Sequence, residues 1–318
     1  MSRSARYRYR TMLRQRGVAV VTALLLTTLA VTIVASLFWQ QQVQVRSMEN
    51  QRLHLQTRWI LRGALDWARL ILRQDGLDSP TVTREDGVWA TPLAETRLDQ
   101  YVEREQVQGE DYDATLQGQV FDAQSRYNLA NLGATGTQGS NEIRAFGQLL
   151  KLLQLDSSLA QAAAQQVQQA ALATSQSGTS NAPMRFQRVE DLLAAGFTQE
   201  GIERLRDYVI VLPKATAVNV NTARAEVIAA IIEGMPLSDA QALVASRKTR
   251  PFMSLSAFTG AAQVTGKTPL GQVDIRSDYF LVLSQVKLDR AALESWALIF
   301  REPRAKGSQT SLEWIREI

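Results

Sequence analysis

The 318-residue chain contains no cysteine and one histidine, and these absences remove most of the side chains that usually carry out chemistry. Without cysteine there is no disulfide, no thiol nucleophile and no thiolate metal ligand, so stability depends on core packing. His54 falls within a long helical pattern, which indicates a surface or groove residue rather than a catalytic base. The sequence also lacks a Gly-x-Ser-x-Gly motif and a phosphate loop. We therefore expect a protein that is not an enzyme.

Acidic residues are absent from the first 17 positions, where six arginines precede Gly17. Residues 18–38 then form an uncharged apolar run of 21 residues. At about 1.5 Å per helical residue, this run spans the roughly 30 Å hydrocarbon core of a bilayer. The arginine-rich flank predicts a cytoplasmic N-terminus, with the rest of the chain on the other side of the membrane.

The residues leave three interpretations of this N-terminus open. A conventional secretory signal could be cut between Ala35 and Ser36, although its apolar region is usually only about 7–15 residues long. A plain anchor would stay uncut. A prepilin-type leader would be cut on the cytoplasmic side, between Gly17 and Val18, and the apolar helix would remain in the mature protein.

The charge of the mature chain argues against nucleic acid as a partner. The whole chain has a formal charge of +4, and removing the six leader arginines (4 − 6) leaves −2 for residues 18–318. A slightly acidic protein has no global attraction to nucleic acid. The remaining length is sufficient for two or three domains.

The helical pattern continues past the apolar run to Arg73, with no proline and a single glycine. Apolar or small residues recur there at nearly the spacing of one helical face. We call this set the apolar stripe; its members are Met48, Leu55, Trp59, Gly63, Trp67 and Leu70. The simplest expectation is that the apolar stripe packs against the globular domain of the same chain.

The remaining patterns predict a helical block between two β regions. Residues 95–105 predict a helix and residues 115–121 a strand, and helical patterns then dominate from Asn141. Asn221 or Thr222 is expected to cap a helix that reaches Glu233. After Gly271 apolar residues alternate with polar ones at a period of two, so residues 278–286 and 292–300 predict two antiparallel strands. This order predicts an α+β fold with an inserted helical domain.

Four segments together resemble the type II secretion system protein K family, the largest minor pseudopilins of the general secretion pathway. They are RQRG before VAVVTALLL, FDAQSRYNLANL at 121–132, VNVNTARAEVIAAII at 218–232 and RSDYFLVLSQV at 276–286. The resemblance implies a pilin-like long N-terminal helix and small antiparallel sheet, with a large inserted all-α domain of two SAM-like, helix-hairpin-helix-like modules. The implied boundaries are 1–17 for the leader, 18–73 for the long helix with 18–38 in the membrane, 74–122 and 271–318 for the α+β domain, and 123–215 and 216–270 for the modules.

The resemblance also implies a location and a function. Prepilin peptidase would cut between Gly17 and Val18, leaving a single-pass protein of the cell inner membrane with a periplasmic C-terminal domain. The protein would cap the tip of the periplasmic pseudopilus that drives export of folded proteins across the outer membrane. The implied partners are minor pseudopilins I and J, other pseudopilins including the major one, the peptidase and the inner-membrane assembly platform, with no nucleic acid among them.

Thr22 is position five of the implied mature chain. Most pilin-like proteins have a glutamate there, which can pair with the N-terminal amine of a neighbouring subunit. A carboxylate in the bilayer core is costly unless it is paired, and a tip subunit has no neighbour above it. Thr22 therefore fits a tip position, although it can equally be one of several threonines tolerated in this helix.

One departure from the family concerns calcium. Members can bind this ion, which needs about six to eight oxygen ligands, several of them carboxylates. The acidic D-W-x-D-x-D stretch that family members usually have after the alanine-rich helix is replaced here by QQVQQAALATSQS. Asp122, Gln124 and Asn128 remain as oxygen donors, but turn and strand-end hydrogen bonding is the simpler role. Calcium is therefore implied by the resemblance alone.

The main alternative function is a membrane-anchored periplasmic DNA-binding protein. Residues 218–243 are laid out as a helix-hairpin-helix, and DNA-binding hairpins usually offer a Gly-hydrophobic-Gly turn to a phosphate. Here Glu233 precedes the turn, and Pro236 occupies the second glycine position and removes an N–H donor. A basic cluster follows at 247–250, with the character of a solvated helix end. Packing against protein is therefore the expected role of this hairpin.

Overall fold

The structure, a computed structural model, describes residues 16–98, 114–175 and 184–318. The chain forms two compact units, residues 1–56 and 57–318. The helices are α1 (Arg16–Asp78), α2 (Gly136–Leu152), α3 (Leu159–Ser175), α4 (Gln199–Leu205), α5 (Ala225–Ile231), α6 (Leu237–Thr249) and α7 (Leu255–Thr259). The strands are β1 (Leu93–Arg97), β2 (Ala114–Asp122), β3 (Tyr127–Asn128), β4 (Val209–Ile210), β5 (Val218–Asn219), β6 (Val273–Asp274), β7 (Tyr279–Leu288), β8 (Ala291–Arg301) and β9 (Thr310–Glu317).

The described part of the first unit is the N-terminal portion of α1. Residues 18–52 are all exposed, and they include a segment long and apolar enough to cross a membrane. Thr27, Thr28 and Thr32 each donate a hydrogen bond to the carbonyl three residues earlier. These bonds satisfy the hydroxyl groups within the helix, which makes the threonines compatible with an apolar environment.

The second unit is built on a five-stranded antiparallel sheet of order β1-β2-β7-β8-β9. Leu61, Leu65 and Leu72 of α1 are buried against one face of the sheet, where they share a core with Phe280 and Ile299. Burial of each such side chain contributes roughly 1.5–3 kcal/mol. Helix α1 is thereby fixed to the sheet through the face opposite the apolar stripe.

The chain leaves the sheet after β2, forms the helical block, and returns to the sheet at β7. Two short parallel strand pairs tie the block together, and each closes one module at its entry and exit. β3 pairs with β4, and β5 pairs with β6. One continuous hydrophobic core runs through both modules, and Phe146 stacks on Tyr127 with ring centroids 5.6 Å apart.

The α+β fold class, the long N-terminal helix and the small antiparallel sheet are confirmed. Two local predictions are wrong. Residues 95–97, predicted as the start of a helix, belong to β1, because this strand pairs with β2 at the edge of the sheet. Residues 99–105 of that prediction lie outside the described residues. Helix α5 begins at Ala225 with Arg224 at its N-cap, because Asn221 and Thr222 are buried and hydrogen-bonded elsewhere.

Candidate functional site

The predicted processing site lies at the start of α1. The helix begins at Arg16, so Gly17 and Val18 both have helical backbone. The Thr22 hydroxyl lies 3.0 Å from the carbonyl oxygens of Val18 and of Ala19 and donates to them. Thr22 therefore satisfies its own polar group within the helix, whereas a carboxylate at this position would need a partner. Cleavage between Gly17 and Val18 stays a prediction.

The prediction that the apolar stripe packs against the chain's own domain is wrong. Trp59 is 73% exposed, Trp67 51% and Leu70 63%, and a Cβ atom added at Gly63 would meet nothing within 4 Å. The buried face of the helix is instead the one opposite the stripe, at Thr57, Leu61, Leu65, Ala68 and Leu72. Apolar residues on both sides of this helix follow the 3.6-residue period. The spacing alone therefore did not reveal which side packs against the sheet.

Three large apolar residues of the stripe, Trp59, Trp67 and Leu70, are exposed along one side of α1 in the second unit. We call this exposed part of the stripe, residues 59–70, the apolar ridge. Large exposed apolar residues grouped along one side of a helix are typical of an interaction site. The gap in the ridge at Gly63 lets another backbone approach the helix closely. The exposed part of the stripe in the second unit, residues 59–70, is therefore a candidate docking surface.

A buried polar junction joins the sheet to the helical block. The Asp122 carboxylate accepts hydrogen bonds from the Gln124 amide N–H at 2.8 Å and from Asn219 Nδ2 at 2.9 Å. It also accepts hydrogen bonds from the hydroxyls of Thr222 and Ser277, both at 2.6 Å. Burial raises the pKa of Asp122, and these four donors oppose that shift. We call these five residues the Asp122 junction.

The junction continues to α1 through Arg301, whose guanidinium is buried. Its Nη1 donates to the Leu72 carbonyl at 3.1 Å and to Asp75 at 2.6 Å. Its Nη2 donates to the Thr83 hydroxyl and the Ser277 carbonyl, both at 3.1 Å. The end of the long helix, the sheet and the helical block are thus held by one connected set of charge-assisted hydrogen bonds.

Three of the segments that carry the family resemblance meet at this junction. Asp122 lies in FDAQ, Asn219 and Thr222 lie in VNVNT, and Ser277 lies in RSDY. They are distant along the chain, so sequence reasoning had no signal for their contact. Short polar residues at the ends of apolar runs were the available cue. Of this set, Asp122 and Gln124 were predicted as possible oxygen donors and Thr222 as a possible helix cap, but no contact among them was predicted.

The oxygen donors considered for calcium are already engaged. Asp122 has the four protein donors described above, and the Gln124 side chain donates to the Ala217 carbonyl at 3.0 Å and accepts from the Asp278 N–H at 2.7 Å. The Asn128 side-chain oxygen accepts from the N–H groups of Ala130 and Leu212. No cluster of three or more acidic, histidine or cysteine ligands occurs in the described ranges. These residues do not fit a calcium site.

A second buried carboxylate, Glu142, lies inside the helical block. It accepts hydrogen bonds from the Tyr127 hydroxyl at 2.9 Å and from Gln138 Nε2 at 2.7 Å. Burial raises the pKa of Glu142, and these donors only partly offset that shift. Glu142 thus joins α2 to Tyr127 of β3 inside the first module.

Glu142 is expected to make stability fall as pH rises. Because its pKa is higher in the folded than in the unfolded state, the folded state binds more protons between the two values. The stabilisation is complete below the unfolded pKa and is lost as pH rises through the raised one. Glu142→Gln should flatten this slope in urea unfolding followed by circular dichroism, and the exposed Glu203→Gln should not. An unchanged slope in Glu142→Gln would contradict the assignment.

The helix-hairpin-helix turn is used for packing against protein. The Glu233 carboxylate forms an ion pair with Arg144 of α2, and the Glu233 N–H donates to the Thr268 carbonyl at 2.9 Å. In the basic cluster that follows, Arg247 is buried and donates to the Val220 carbonyl at 2.7 Å. The turn therefore presents neither a free pair of N–H groups nor an intact basic cluster to a phosphate.

Comparison with known proteins gives a consistent result. Two family models, both described as type II secretion system protein K, match residues 125–214 and 218–276. The type II secretion system protein K of Pseudomonas aeruginosa is 28% identical, with 86% of this chain and 85% of the relative covered. The protein of the same name from Aeromonas hydrophila is 26% identical, with 89% and 92% covered.

A solved structure shares the fold. It is the crystal structure of the GspK-GspI-GspJ complex from the type 2 secretion system of enterotoxigenic Escherichia coli. The matched chain aligns with a TM-score of 0.68 and 16% identity, covering 85% of this chain and 99% of that one. The likeness therefore extends over almost the whole of the compared fold.

Proposed function

The chain belongs to the type II secretion system protein K family, and from this premise we propose that it is a minor pseudopilin that caps the tip of the periplasmic pseudopilus. The observation that carries the proposal is the combination of a membrane-length apolar helix with an exposed apolar ridge on the same α1. The first supplies an anchor and the second a surface for neighbouring helices. Assembly rather than catalysis is the proposed role.

The anchor sets the proposed location. We place residues 18–38 across the inner membrane, with the arginine-rich N-terminus in the cytoplasm and the second unit in the periplasm. Thr22 supports a place at the tip, because its hydroxyl is satisfied by the carbonyls of Val18 and Ala19 and needs no amine from a neighbour above.

The inserted helical block also supports a tip position. Residues 123–270 add two packed modules to the small sheet, and a thin filament has little room for such an insertion in every repeat. At the end of the filament the insertion has no subunit above it. A single copy at the tip therefore agrees with the fold better than repeated copies along the filament.

The proposed partners of the exposed ridge are minor pseudopilins I and J. The structural neighbour was crystallised with GspI and GspJ, and an apolar ridge with a glycine gap suits lateral packing of helices. Tryptophans at such positions are typical anchors of an interface. We infer that Trp59 and Trp67 are the anchors here.

Trp67→Glu is expected to weaken the complex with I and J at least about 30-fold, because losing an anchor costs roughly 2 kcal/mol or more. The experiment is co-purification of the full chain in detergent with I and J, followed by titration. Met253→Glu is the matched control, since it places the same charge at an exposed apolar residue of the helical block. Circular dichroism would separate lost binding from unfolding. Wild-type affinity in a folded Trp67→Glu variant would refute the docking role of the ridge.

A further inference from the structure

The apolar ridge of α1 is bordered by charge on one side only. Arg62 lies three residues after Trp59, and Arg73 lies three residues after Leu70. Residues three or four apart are neighbours on a helix surface, and the same three-residue step places both arginines on the same side of the ridge. Both side chains are exposed, and neither forms an ion pair with another residue in the described ranges.

The opposite border of the ridge is apolar. Ile60 and Ala64 lie three residues before Gly63 and Trp67, and Ile71 lies four residues after Trp67. These three side chains are partly buried and pack against the core between α1 and the sheet. A helix that docks on the ridge would therefore meet cations along one flank and uncharged surface along the other.

The carboxylates on the arginine side of α1 are already paired. Asp66 accepts a hydrogen bond from Arg69 at 2.9 Å, and Arg69 also donates to the Thr310 carbonyl at 2.8 Å. Glu317 accepts two hydrogen bonds from Arg58, at 3.0 and 3.1 Å. Two of the four arginines on this side are thus matched by two carboxylates. The two arginines that border the ridge leave this side with a net positive charge.

The spacing of the two bordering arginines sets a distance for their partners. Arg62 and Arg73 are eleven residues apart, which corresponds to roughly 16 Å along the helix axis and to about three whole turns. The two guanidinium groups therefore lie in one line parallel to the ridge. Membrane-anchored helices of neighbouring pseudopilins leave the bilayer in the same direction, so a second helix packed along the ridge would follow this line.

We propose that the apolar ridge selects a partner helix with acidic residues along one flank of its own apolar stripe, about eleven positions apart, facing Arg62 and Arg73. The proposal rests on the proposed function in taking that helix from a minor pseudopilin. Guanidinium groups pair well with carboxylates, and charges at the rim of an interface set orientation and association rate. A helix with a basic flank would be repelled. The ridge thus supplies affinity, and the arginines fix which flank of the partner faces β9.

The charge of the partner can be tested by titrating the full chain in detergent with I and J at low and at high salt. We expect Arg62→Gln, Arg73→Gln to bind about tenfold more weakly at about 50 mM salt and to differ little at about 1 M, where the screening length is about 3 Å. Arg62→Glu, Arg73→Glu should weaken binding further, because like charges would then face each other. The matched control neutralises two exposed cations of the helical block, Lys248 and Arg250.

Unchanged or tighter binding of the folded charge-reversed variant would overturn the proposal. Trp67→Glu distinguishes this failure from failure of the proposed function. If Trp67→Glu weakens the complex and the arginine variants do not, the ridge is a docking surface without the charge selection. If Trp67→Glu also binds normally, the ridge is not the docking surface at all.

The carboxylates of the partner can be located by zero-length cross-linking of the assembled complex. A carbodiimide joins a carboxylate to a lysine amine as an amide, with no spacer between them. Arg62→Lys and Arg73→Lys keep the positive charge and supply that amine. We expect each to link to an acidic residue of I or J, with the two linked residues about eleven positions apart in one helix. The native Lys248 is the control, and it should link to neither protein. Links confined to the chain's own Asp66, or none at all, would contradict the proposal.

Discussion

Asp122→Ala is expected to lower the free energy of unfolding of the second unit by about 3–5 kcal/mol. The carboxylate accepts four hydrogen bonds, and three of its donors belong to Asn219, Thr222 and Ser277. Removing the acceptor leaves these buried groups without a partner and leaves a cavity. Because the junction joins the sheet to both ends of the second module, the helical block should lose protection first.

The measurement is urea unfolding followed by circular dichroism, together with hydrogen exchange of residues 218–232. Asp122→Asn should be less damaging, since it keeps the volume and one acceptor oxygen. The control is Asp86→Ala, because Asp86 is exposed and its ion pair with Arg84, at 3.3 Å, lies at the surface. A surface pair of this kind contributes roughly 0–1 kcal/mol. If Asp122→Ala stays within about 1 kcal/mol of the wild type, the junction is not the main link between sheet and block.

Strong periodic patterns in the sequence predicted elements well. Residues 278–286 and 292–300 correspond to β7 and β8, because one buried face imposes a clear alternation. Strand β9, which forms the edge of the sheet beside β8, was not predicted. Only Thr310, Trp314 and Arg316 are partly buried in this edge strand, so its alternation is weak.

Positions that depend on tertiary contacts could not be predicted. Asn221 has the side chain of a good helix cap, yet it exchanges hydrogen bonds with the backbone of Phe252, which is far away in the sequence. Likewise, the apolar spacing at Trp59 and Trp67 indicated a helical face but not what covers it. The Asp122 junction needed the fold itself, because its members come from three separate segments.

The exposure of the apolar stripe, which was predicted to be buried, bears directly on how the chain assembles with others. Had Trp59 and Trp67 packed inside the unit, neither side chain would be available to a neighbouring subunit. Their exposure instead leaves apolar area on the one element that also carries the membrane segment. The anchor and the docking ridge are therefore parts of a single helix, which is the arrangement that assembly through neighbouring helices requires.

Gly17→Val is expected to abolish the mature protein and, with it, secretion. A prepilin-type site must accept the side chain of the residue before the cut, and a branched group would replace a hydrogen there. The uncut arginine-rich leader would hold the N-terminus in the cytoplasm, so the apolar helix could not leave the membrane for a filament. The measurement is mass spectrometry of the N-terminus of protein recovered from membranes of cells that contain prepilin peptidase. Wild-type protein should begin at Val18.

The control for this experiment is Ser4→Val, which introduces the same side chain in the leader away from the proposed cut and should be processed normally. Protein beginning at Ser36 would support a conventional signal and remove the anchor that the pseudopilin role requires. Uncut wild-type protein would support a plain anchor, and the apolar ridge would then act at the membrane rather than in a filament. Normal processing of Gly17→Val would show that the cut, if any, lies elsewhere. Because each outcome gives a different first residue, one spectrum decides among the three interpretations of the N-terminus.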